Sequence, residues 1–261
     1  MTQHSDKACT GPLARYVAVL AILVIALLPT RPIAAGAEEL FPDFVADYIV
    51  RINGIKVGEA TFSLVHKDTD EYLYRQRSKS TGVATLLGSD ASAQSSRWRY
   101  VDGTVQPLEF RSKRKKGDDD DNAHLLFDWE NMRVENRGAG EHWNIDMPEG
   151  TLDSLVMQMA MLFDLRDGKT RMEYLVATRG RIKHYQFEVA GRDTIKLPFG
   201  SYETVRAERR DDKKDDSLVW AAPELDYFPV RFIKKKSAGI EVELLLQKLD
   251  FNPKLAQDKS D

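Results

Sequence analysis

The sequence predicts a mainly β protein of the β-rich α+β class, an antiparallel meander curled into a barrel or half-barrel around one buried helix. Apolar and polar residues alternate with a period of two along most of the chain, which is the strand signal. Gly, Pro, Asn and Asp turns separate these runs, and the polar alternate positions indicate an antiparallel sheet with one solvated face. A dozen or so such strands are expected to curl, because a flat sheet would leave long exposed edges.

The N-terminal 37 residues have the charge pattern of a secretory signal peptide. Lys7 and Arg15 precede an uncharged run over 16–28, and a small-residue Ala-Gly-Ala step ends at Ala37. The apolar run is shorter than the roughly 20 residues that a membrane span needs. We therefore expect cleavage after Ala37, export to the periplasm without a stable membrane span, and a single β-rich domain over 38–261.

The composition argues against disulfide bonds, a lipid anchor on cysteine and a nucleic-acid partner. The only cysteine, Cys9, precedes the apolar run, so the processed chain is expected to form no disulfide and to carry no lipid on cysteine. Basic and acidic residues number 38 and 41, which gives a formal net charge of −3. This balance provides no overall field that would attract nucleic acid, so no nucleic-acid partner is expected.

The first hairpin illustrates how each strand is predicted. In the run 44–52, Tyr48, Val50 and Ile52 fall on one face, and Asn53-Gly54 follows with the residue types that a tight hairpin turn requires. The same reasoning predicts strands at 55–66, 72–80, 95–101, 108–113, 123–129, 132–136, 141–145, 170–178, 183–190, 193–197, 203–210, 217–221, 230–235 and 240–249.

One helix interrupts the strand pattern, from Leu152 to about Arg166. Thr151 is expected to cap its free amides, and Gly168 is expected to end it. Its apolar residues form two stripes and leave little polar surface, which is typical of a buried helix. We expect this helix to lie against the concave face of the curled sheet, or partly inside it.

Two charged segments are predicted as solvated hairpin tips. The first, 113–121, places four lysines and arginines before a run of four aspartates, and the second, 209–216, mixes both signs. Consecutive aspartates lack the spacing of a calcium loop, and the basic clusters lack the interleaved aromatic residues of a single-strand binding groove.

Residue patterns for catalysis and metal binding are weak. The sequence has no Gly-x-Ser-x-Gly elbow and no mature cysteine nucleophile. The mature histidines His66, His124, His142 and His184 are dispersed, whereas zinc ligands are commonly paired at short spacing. We therefore expect no catalytic residue, no metal and no cofactor, and we predict that the protein is not an enzyme.

Aromatic and methionine residues form the candidate binding surface. Ordinary core packing is the first explanation for them, but a curled sheet with one helix can also enclose an apolar cavity, and methionine adapts to ligands of variable shape. The residue pattern does not distinguish a filled core from a cavity. The candidate lining residues are Leu155, Met157, Met159 and Met161 around the helix, and Tyr48, Phe62, Trp98 and Trp129 on the strands.

Several short motifs occur in a characteristic order over nearly the whole mature chain. They are Tyr48-x-Val50, Gly54, Val57-Gly58 and Ala60, then Asp153-x-Leu155 and Arg166-x-Gly168, then Pro198 to Thr204, Leu218-Val219-Trp220 and Pro229-Val230-Arg231. In this order the chain resembles the exported bacterial family known as domain of unknown function 3108. The resemblance implies an envelope protein of Gram-negative bacteria with no assigned reaction, and it supplies no catalytic residue.

Three functions remain open from the sequence. The preferred hypothesis is a non-catalytic periplasmic carrier that shelters a lipid or acyl chain, which predicts an internal apolar pocket. The alternative is an assembly or interaction factor that contacts another envelope protein, which predicts an exposed apolar patch. An enzyme acting on glycans is the least favoured hypothesis and predicts polar groups that converge in a cleft.

Overall fold

The computed structural model of the protein describes residues 40–68, 70–81, 91–114, 122–138, 142–211, 216–236 and 239–253. They belong to one compact unit, Glu39–Asp261. The predicted signal peptide, residues 115–121 of the first charged segment and residues 212–215 of the second lie outside the described residues. Within the described ranges, no helix has the length and apolar character needed to cross a membrane.

The described chain is mainly β, as the alternation predicts. The strands are β1 (Phe44–Ile52), β2 (Ile55–Asp68), β3 (Glu71–Ser80), β4 (Ser92–Val101), β5 (Thr104–Arg114), β6 (Ala123–Asp128), β7 (Arg133–Asn136), β8 (Trp143–Asp146), β9 (Thr151–Leu152), β10 (Arg171–Thr178), β11 (Arg181–Leu197), β12 (Gly200–Arg209), β13 (Asp216–Ala222), β14 (Phe228–Lys235) and β15 (Glu241–Phe251). One α-helix, α1 (Met157–Arg166), and a 3-10 turn, Pro223–Leu225, complete the described elements.

All fifteen described strands form one sheet. Its order is β8-β7-β6-β5-β4-β3-β2-β1-β15-β14-β13-β12-β11-β10-β9, so β1 joins β15 at the centre. Neighbouring strands pair antiparallel throughout this order, except that β9 pairs parallel to β10. The described ladder ends at β8 and at β9 without a hydrogen-bonded pairing between them, so the sheet is curled but is not a closed barrel.

Two glycines show how the sequence shapes the first hairpin. Asn53 and Gly54 have positive φ angles of 48° and 81°, as the tight turn requires. Gly58 is needed for a different reason: a Cβ atom there would lie 2.6 Å from the backbone oxygen of Lys79 on β3. The absence of a side chain therefore permits the close approach of β2 and β3.

The sheet curls until its distant parts meet. Trp143 on β8 lies next to Gly180 in the β10–β11 turn, since a Cβ atom built on that glycine would be 3.6 Å from the indole ring. On the inner face, Phe44 of β1 packs edge-on against Phe228 of β14 with ring centroids 5.0 Å apart. Helix α1 contributes five buried residues to this core: Met159, Met161, Leu162, Phe163 and Leu165.

The predicted start of the helix at Leu152 is wrong by five residues. Leu152 belongs to β9 and pairs with Val176 of β10, and α1 begins only at Met157. Thr151 does not cap the helix, because its hydroxyl donates to the backbone oxygen of Pro148 at 2.7 Å. The helical apolar pattern of 152–156 therefore reflects burial in a short strand and a turn. Gly168, with φ of 78°, follows the helix as expected.

One long strand replaces two predicted runs. The sequence separates 183–190 from 193–197, whereas β11 continues through both. Its register against β12 shifts between Val189 and Gly191, which marks a bulge. A bulge keeps the strand paired while changing which residues face the core, and this explains why the alternation is interrupted.

Candidate functional site

The turn before α1 is fixed by a buried carboxylate. Asp153 is fully buried, and its Oδ1 accepts hydrogen bonds from the backbone amides of Leu155 and Val156, both at 2.8 Å. The hydroxyl of Ser96 on β4 donates to Oδ2 at 2.6 Å. The carboxylate thus satisfies amides that the turn would otherwise leave unpaired, and it ties the start of the helix to the sheet.

Burial raises the pKa of Asp153 from its ordinary value of 3.8 to about 6. The hydrogen bonds from Ser96, Val156 and Leu155 favour the charged form and oppose this effect, but they do not cancel the loss of hydration. The Asp153 carboxyl is therefore a buried titratable group in contact with the segment that leads into α1.

Two further hydrogen bonds hold the helix. The hydroxyl of Tyr74 on β3 donates to Oε1 of Gln158 at 3.1 Å, and the hydroxyl of Tyr174 on β10 donates to Oδ2 of Asp164 at 2.8 Å. Burial raises the pKa of both tyrosines, so they remain neutral donors. Lys169 also bonds Asp164, at 2.6 Å. The helix is therefore attached to the sheet near both of its ends.

An apolar cavity of about 330 Å³ lies between α1 and the inner face of the sheet. The helix supplies one wall, strands β1, β2 and β3 supply a second, and β11 with β13 to β15 supplies a third. Its lining residues are Tyr48, Phe62, Gln76, Ser154, Met157, Gln158, Met161, Leu162, Leu165, Phe187, Val219, Ala221, Tyr227, Pro229, Arg231, Phe232 and Leu244.

Four of the eight candidate lining residues meet at this cavity. Tyr48 and Phe62 pack edge-on with ring centroids 5.3 Å apart, and Met157 and Met161 face the cavity from the helix. The other four lie outside its lining. Leu155, Met159 and Trp98 are fully buried in the core, and Trp129 donates its indole N–H to the backbone oxygen of Pro107 at 2.7 Å. Whether any of the eight contacts a ligand stays a prediction.

Helical geometry explains why the methionines separate. Met157, Met161 and Leu165 are spaced by four residues, so they share the face of α1 that meets the cavity. Met159 lies between them in sequence and points to the opposite side, where it is 2% exposed. The same spacing is visible in the sequence, so helical geometry alone could have separated Met157 and Met161 from Met159.

Sequence reasoning did not find the polar part of the lining. Gln76, Ser154, Gln158 and Arg231 all reach the cavity, although they come from four different elements or turns. Arg231 is already engaged, since its Nε donates to Oε1 of Glu243 at 2.7 Å. No short motif connects these residues, so only the tertiary structure brings them together.

The described residues contain no group of three or more His, Cys, Asp and Glu side chains placed to hold a metal ion. His124 contacts Glu109 at 2.7 Å, and His184 contacts Glu173 at 3.1 Å, on separate strand pairs. Each of these histidines thus has a carboxylate partner on its neighbouring strand. The expectation that the protein is not an enzyme stays a prediction.

Comparisons with known proteins identify the family. The model of the family described as "Protein of unknown function (DUF3108)" matches residues 47–245. The chain belongs to the DUF3108 family. The match spans strands β1 to β15 together with α1, so it covers the elements that build the cavity. A search of curated proteins finds no match to this DUF3108 protein.

One of two solved structures compared with this DUF3108 protein supports the fold. A crystal structure described as a beta-barrel-like protein of domain of unknown function DUF1849 from Brucella abortus covers 81% of this chain and 98% of its own, with a TM-score of 0.57 and 11% identity. A putative outer membrane lipoprotein-sorting protein domain from Vibrio parahaemolyticus covers 85% and 90%, with a TM-score of 0.23 and 12% identity. The first similarity supports a barrel-like architecture for the chain.

Proposed function

We propose that this DUF3108 protein is a non-catalytic carrier that binds an apolar ligand, such as an acyl chain, between α1 and the sheet. The observation that carries the proposal is the cavity of about 330 Å³ and its apolar lining. Soluble domains pack their interiors closely, so a cavity of this size beside a methionine-bearing helix is what a binding site requires. The periplasm is the proposed location, from the signal-peptide pattern of the N-terminal 37 residues.

The size of the cavity limits the ligand. An engineered apolar cavity of about 150 Å³ accommodates benzene, so about 330 Å³ suits a ligand roughly twice as large. A short or medium acyl chain meets this limit, whereas a complete two-chain lipid does not fit inside. Each buried methylene contributes roughly 0.8 kcal/mol to binding, so the cavity suffices for affinity without any charged contact.

The polar lining gives the ligand an orientation. Oε1 of Gln158 accepts the hydroxyl of Tyr74, which leaves the amide nitrogen of Gln158 as the donor that can face the cavity. A carboxyl or ester oxygen at one end of an acyl chain is the matching acceptor. We therefore propose that the polar end of the ligand lies near Gln158 and its chain lies along Met157 and Met161.

A set of methionine variants tests the carrier proposal. Met161→Trp fills the cavity, so we expect it to weaken the binding of a fluorescent fatty acid by about tenfold, the loss expected for displacing roughly two methylenes. Met161→Ala enlarges the cavity and should strengthen the binding of a bulky fluorescent probe. The measurement is a fluorescence titration of delipidated protein, with circular dichroism to establish folding.

Met159→Ala is the matched control, because Met159 is an equally buried methionine of α1 outside the cavity lining. It should lower the melting temperature and leave the dissociation constant of the fatty acid within about twofold. Two results would refute the carrier proposal: folded wild-type protein that binds no apolar probe, or an unchanged affinity in both Met161 variants.

An exposed apolar surface favours a second function, assembly with another envelope protein. Ile52 and Ile55, paired across the first hairpin, are 39% and 64% exposed. Ile240, 38% exposed, precedes Glu241, whose backbone amide donates to Asn53 in the same turn. Apolar residues clustered at one tip are typical of a contact surface. Replacing the three isoleucines with serine should abolish partner capture by chemical cross-linking in the periplasm while leaving fatty-acid binding intact.

A further inference from the structure

Two side-chain amides line the polar end of the cavity between α1 and the sheet. Gln76 of β3 pairs with Phe62 of β2, which also lines the cavity, so the Gln76 side chain lies on the inner face of the sheet. Gln158 enters the same cavity from α1, and its Oε1 accepts the hydroxyl of Tyr74. Within the described chain, the amide of Gln76 and the amide nitrogen of Gln158 have no hydrogen-bond partner. Both groups are therefore available to a ligand.

The two amides are close enough to hold one small polar group between them. Tyr74 and Gln76 are two positions apart on β3, so their side chains leave the same face of the strand about 7 Å apart. The hydroxyl of Tyr74 donates to Gln158 at 3.1 Å, which brings the Gln158 amide next to Gln76. A ligand amide matches this pair, because its oxygen can accept from the Gln158 nitrogen while its N–H donates to the Gln76 oxygen. An ester or a carboxylate has no N–H to donate.

A negative charge lies beside the two amides. The hydroxyl of Ser96 donates to the carboxyl of Asp153 at 2.6 Å, and Ser96 is directly opposite Tyr74 in the β3–β4 register. The other hydrogen bonds of this carboxyl come from the backbone amides of Leu155 and Val156, and no cation of the described chain pairs with it. At about pH 7.5 the group is ionised, because its pKa is about 6. The polar end of the cavity is therefore close to an uncompensated anion.

Arg231 borders the cavity, but its charge lies on the other face of the sheet. It pairs with Trp220 of β13 and Leu245 of β15, and neither partner belongs to the described lining. Phe232, the next residue of β14, does line the cavity, and successive side chains of a strand point to opposite faces. The guanidinium lies 5.0 Å from the centre of the Trp220 ring, and its Nε donates to Glu243 at 2.7 Å. A ligand carboxylate in the cavity would meet no cation among the described lining residues.

We propose that the cavity selects an acyl chain whose polar end is an uncharged amide, held between Gln76 and Gln158, and that Asp153 discriminates against a free fatty-acid anion. This inference rests on the carrier proposal and narrows its ligand class to amide-linked acyl chains. Two like charges roughly 10 Å apart, at an effective dielectric constant of about 20, change a binding constant by about tenfold. The charge of Asp153 therefore suffices to separate an anionic ligand from an uncharged one with the same chain.

The test compares N-methyldecanamide, methyl decanoate and decanoate, which share one chain length and differ in the polar end. Binding to delipidated protein is measured by isothermal titration calorimetry at about pH 7.5. The amide should bind about tenfold or more tightly than decanoate, with the ester between them. Asp153→Asn should strengthen the binding of decanoate by about tenfold and leave that of the amide within about twofold, because only the anion is repelled by the Asp153 charge.

Gln76→Leu tests the amide contact with an apolar side chain of similar size. It should weaken the binding of N-methyldecanamide by about tenfold, to near that of the ester, because the ligand N–H then has no acceptor. Gln94→Leu is the matched control, since Gln94 pairs with Gln76 across β3 and β4 but does not belong to the described lining. It should leave the affinities of all three ligands unchanged. Thermal melts establish that each variant is folded.

Failure of this inference and failure of the carrier proposal give different results. If decanoate binds wild-type protein as tightly as the amide, and neither Asp153→Asn nor Gln76→Leu changes that ratio, the amide assignment is overturned while the carrier proposal stands. Tighter binding of decylammonium than of the amide would also overturn the assignment, because Asp153 would then select a cation. If folded wild-type protein binds none of these ligands, the carrier proposal fails and this inference fails with it.

Discussion

Replacing the buried Asp153 with asparagine should change how stability depends on pH. In the wild-type protein the pKa of this carboxyl is about 6, against 3.8 for the ordinary group. The folded state therefore binds the proton more tightly than the unfolded state. The stabilisation by protonation is fully present below about pH 4 and is lost as the pH rises through about 6.

The size of this effect follows from the two pKa values. A difference of one pKa unit corresponds to 1.36 kcal/mol, so the values of about 6 and 3.8 give about 3 kcal/mol between low and neutral pH. Asparagine at this position can still accept the amides of Leu155 and Val156 and can meet the hydroxyl of Ser96 with its amide group. It carries no charge to desolvate, so this contribution disappears.

The assay is urea unfolding of both proteins at several pH values between about 4 and 7.5. Asp153→Asn should be the more stable protein at neutral pH, by up to about 3 kcal/mol, and the difference should close near pH 4. Comparing variant with wild type is necessary because other groups titrate in the same range. Although burial opposes it, hydrogen bonds from Arg111 and His124 hold the pKa of Glu109 below its ordinary value, which gives the opposite slope.

Asp146→Asn is the matched control, since its side chain is 87% exposed on β8. Its carboxylate meets Arg133 at 3.0 Å in an exposed ion pair, so the substitution should change stability at neutral pH by less than about 1 kcal/mol. Parallel profiles for Asp153→Asn and wild type between about pH 4 and 7.5 would refute the reasoning, because they would show that burial of Asp153 does not raise its pKa.

Three other predictions concern stability and processing. Leu155→Ala should lower the free energy of unfolding in urea by about 2–5 kcal/mol, because the side chain is fully buried. Ile55→Ala, at a position that is 64% exposed, should change it by less than about 0.5 kcal/mol. Equal losses in the two variants would mean that Leu155 is not part of the core. Gly58→Ala should lower the melting temperature, since its Cβ would lie 2.6 Å from the backbone oxygen of Lys79, and an unchanged temperature would contradict the close approach. N-terminal sequencing of periplasmic protein should begin at Glu38, and retention of the apolar run would overturn the signal-peptide prediction.

Local residue patterns were sufficient to predict most of the strands. Period-two alternation placed β1 at its observed bounds, and Asn53-Gly54 identified the first turn, because strand faces and tight turns depend on neighbouring residues. The family resemblance was also readable, since its motifs keep their order along the chain, and the DUF3108 match over 47–245 confirms it.

Burial by distant residues decided where the helix begins. Residues 152–156 have the apolar spacing of a helix, yet Leu152 pairs with Val176, and Asp153 turns the chain by bonding Leu155 and Val156. A pairing between residues more than twenty positions apart does not change the spacing of apolar residues within the segment, so that spacing cannot reveal it. Tertiary contact therefore overrode helix propensity in this segment.

By itself, the sequence determined the β class, the order of strands along the chain and the presence of an apolar helix, and it predicts a signal peptide over the N-terminal 37 residues. These properties follow from local periodicity and composition. Only the tertiary structure decided that a cavity exists and that Met157 and Met161 face it while Met159 does not. A cavity is the volume that packing leaves unfilled, so it arises from contacts between residues far apart in the chain.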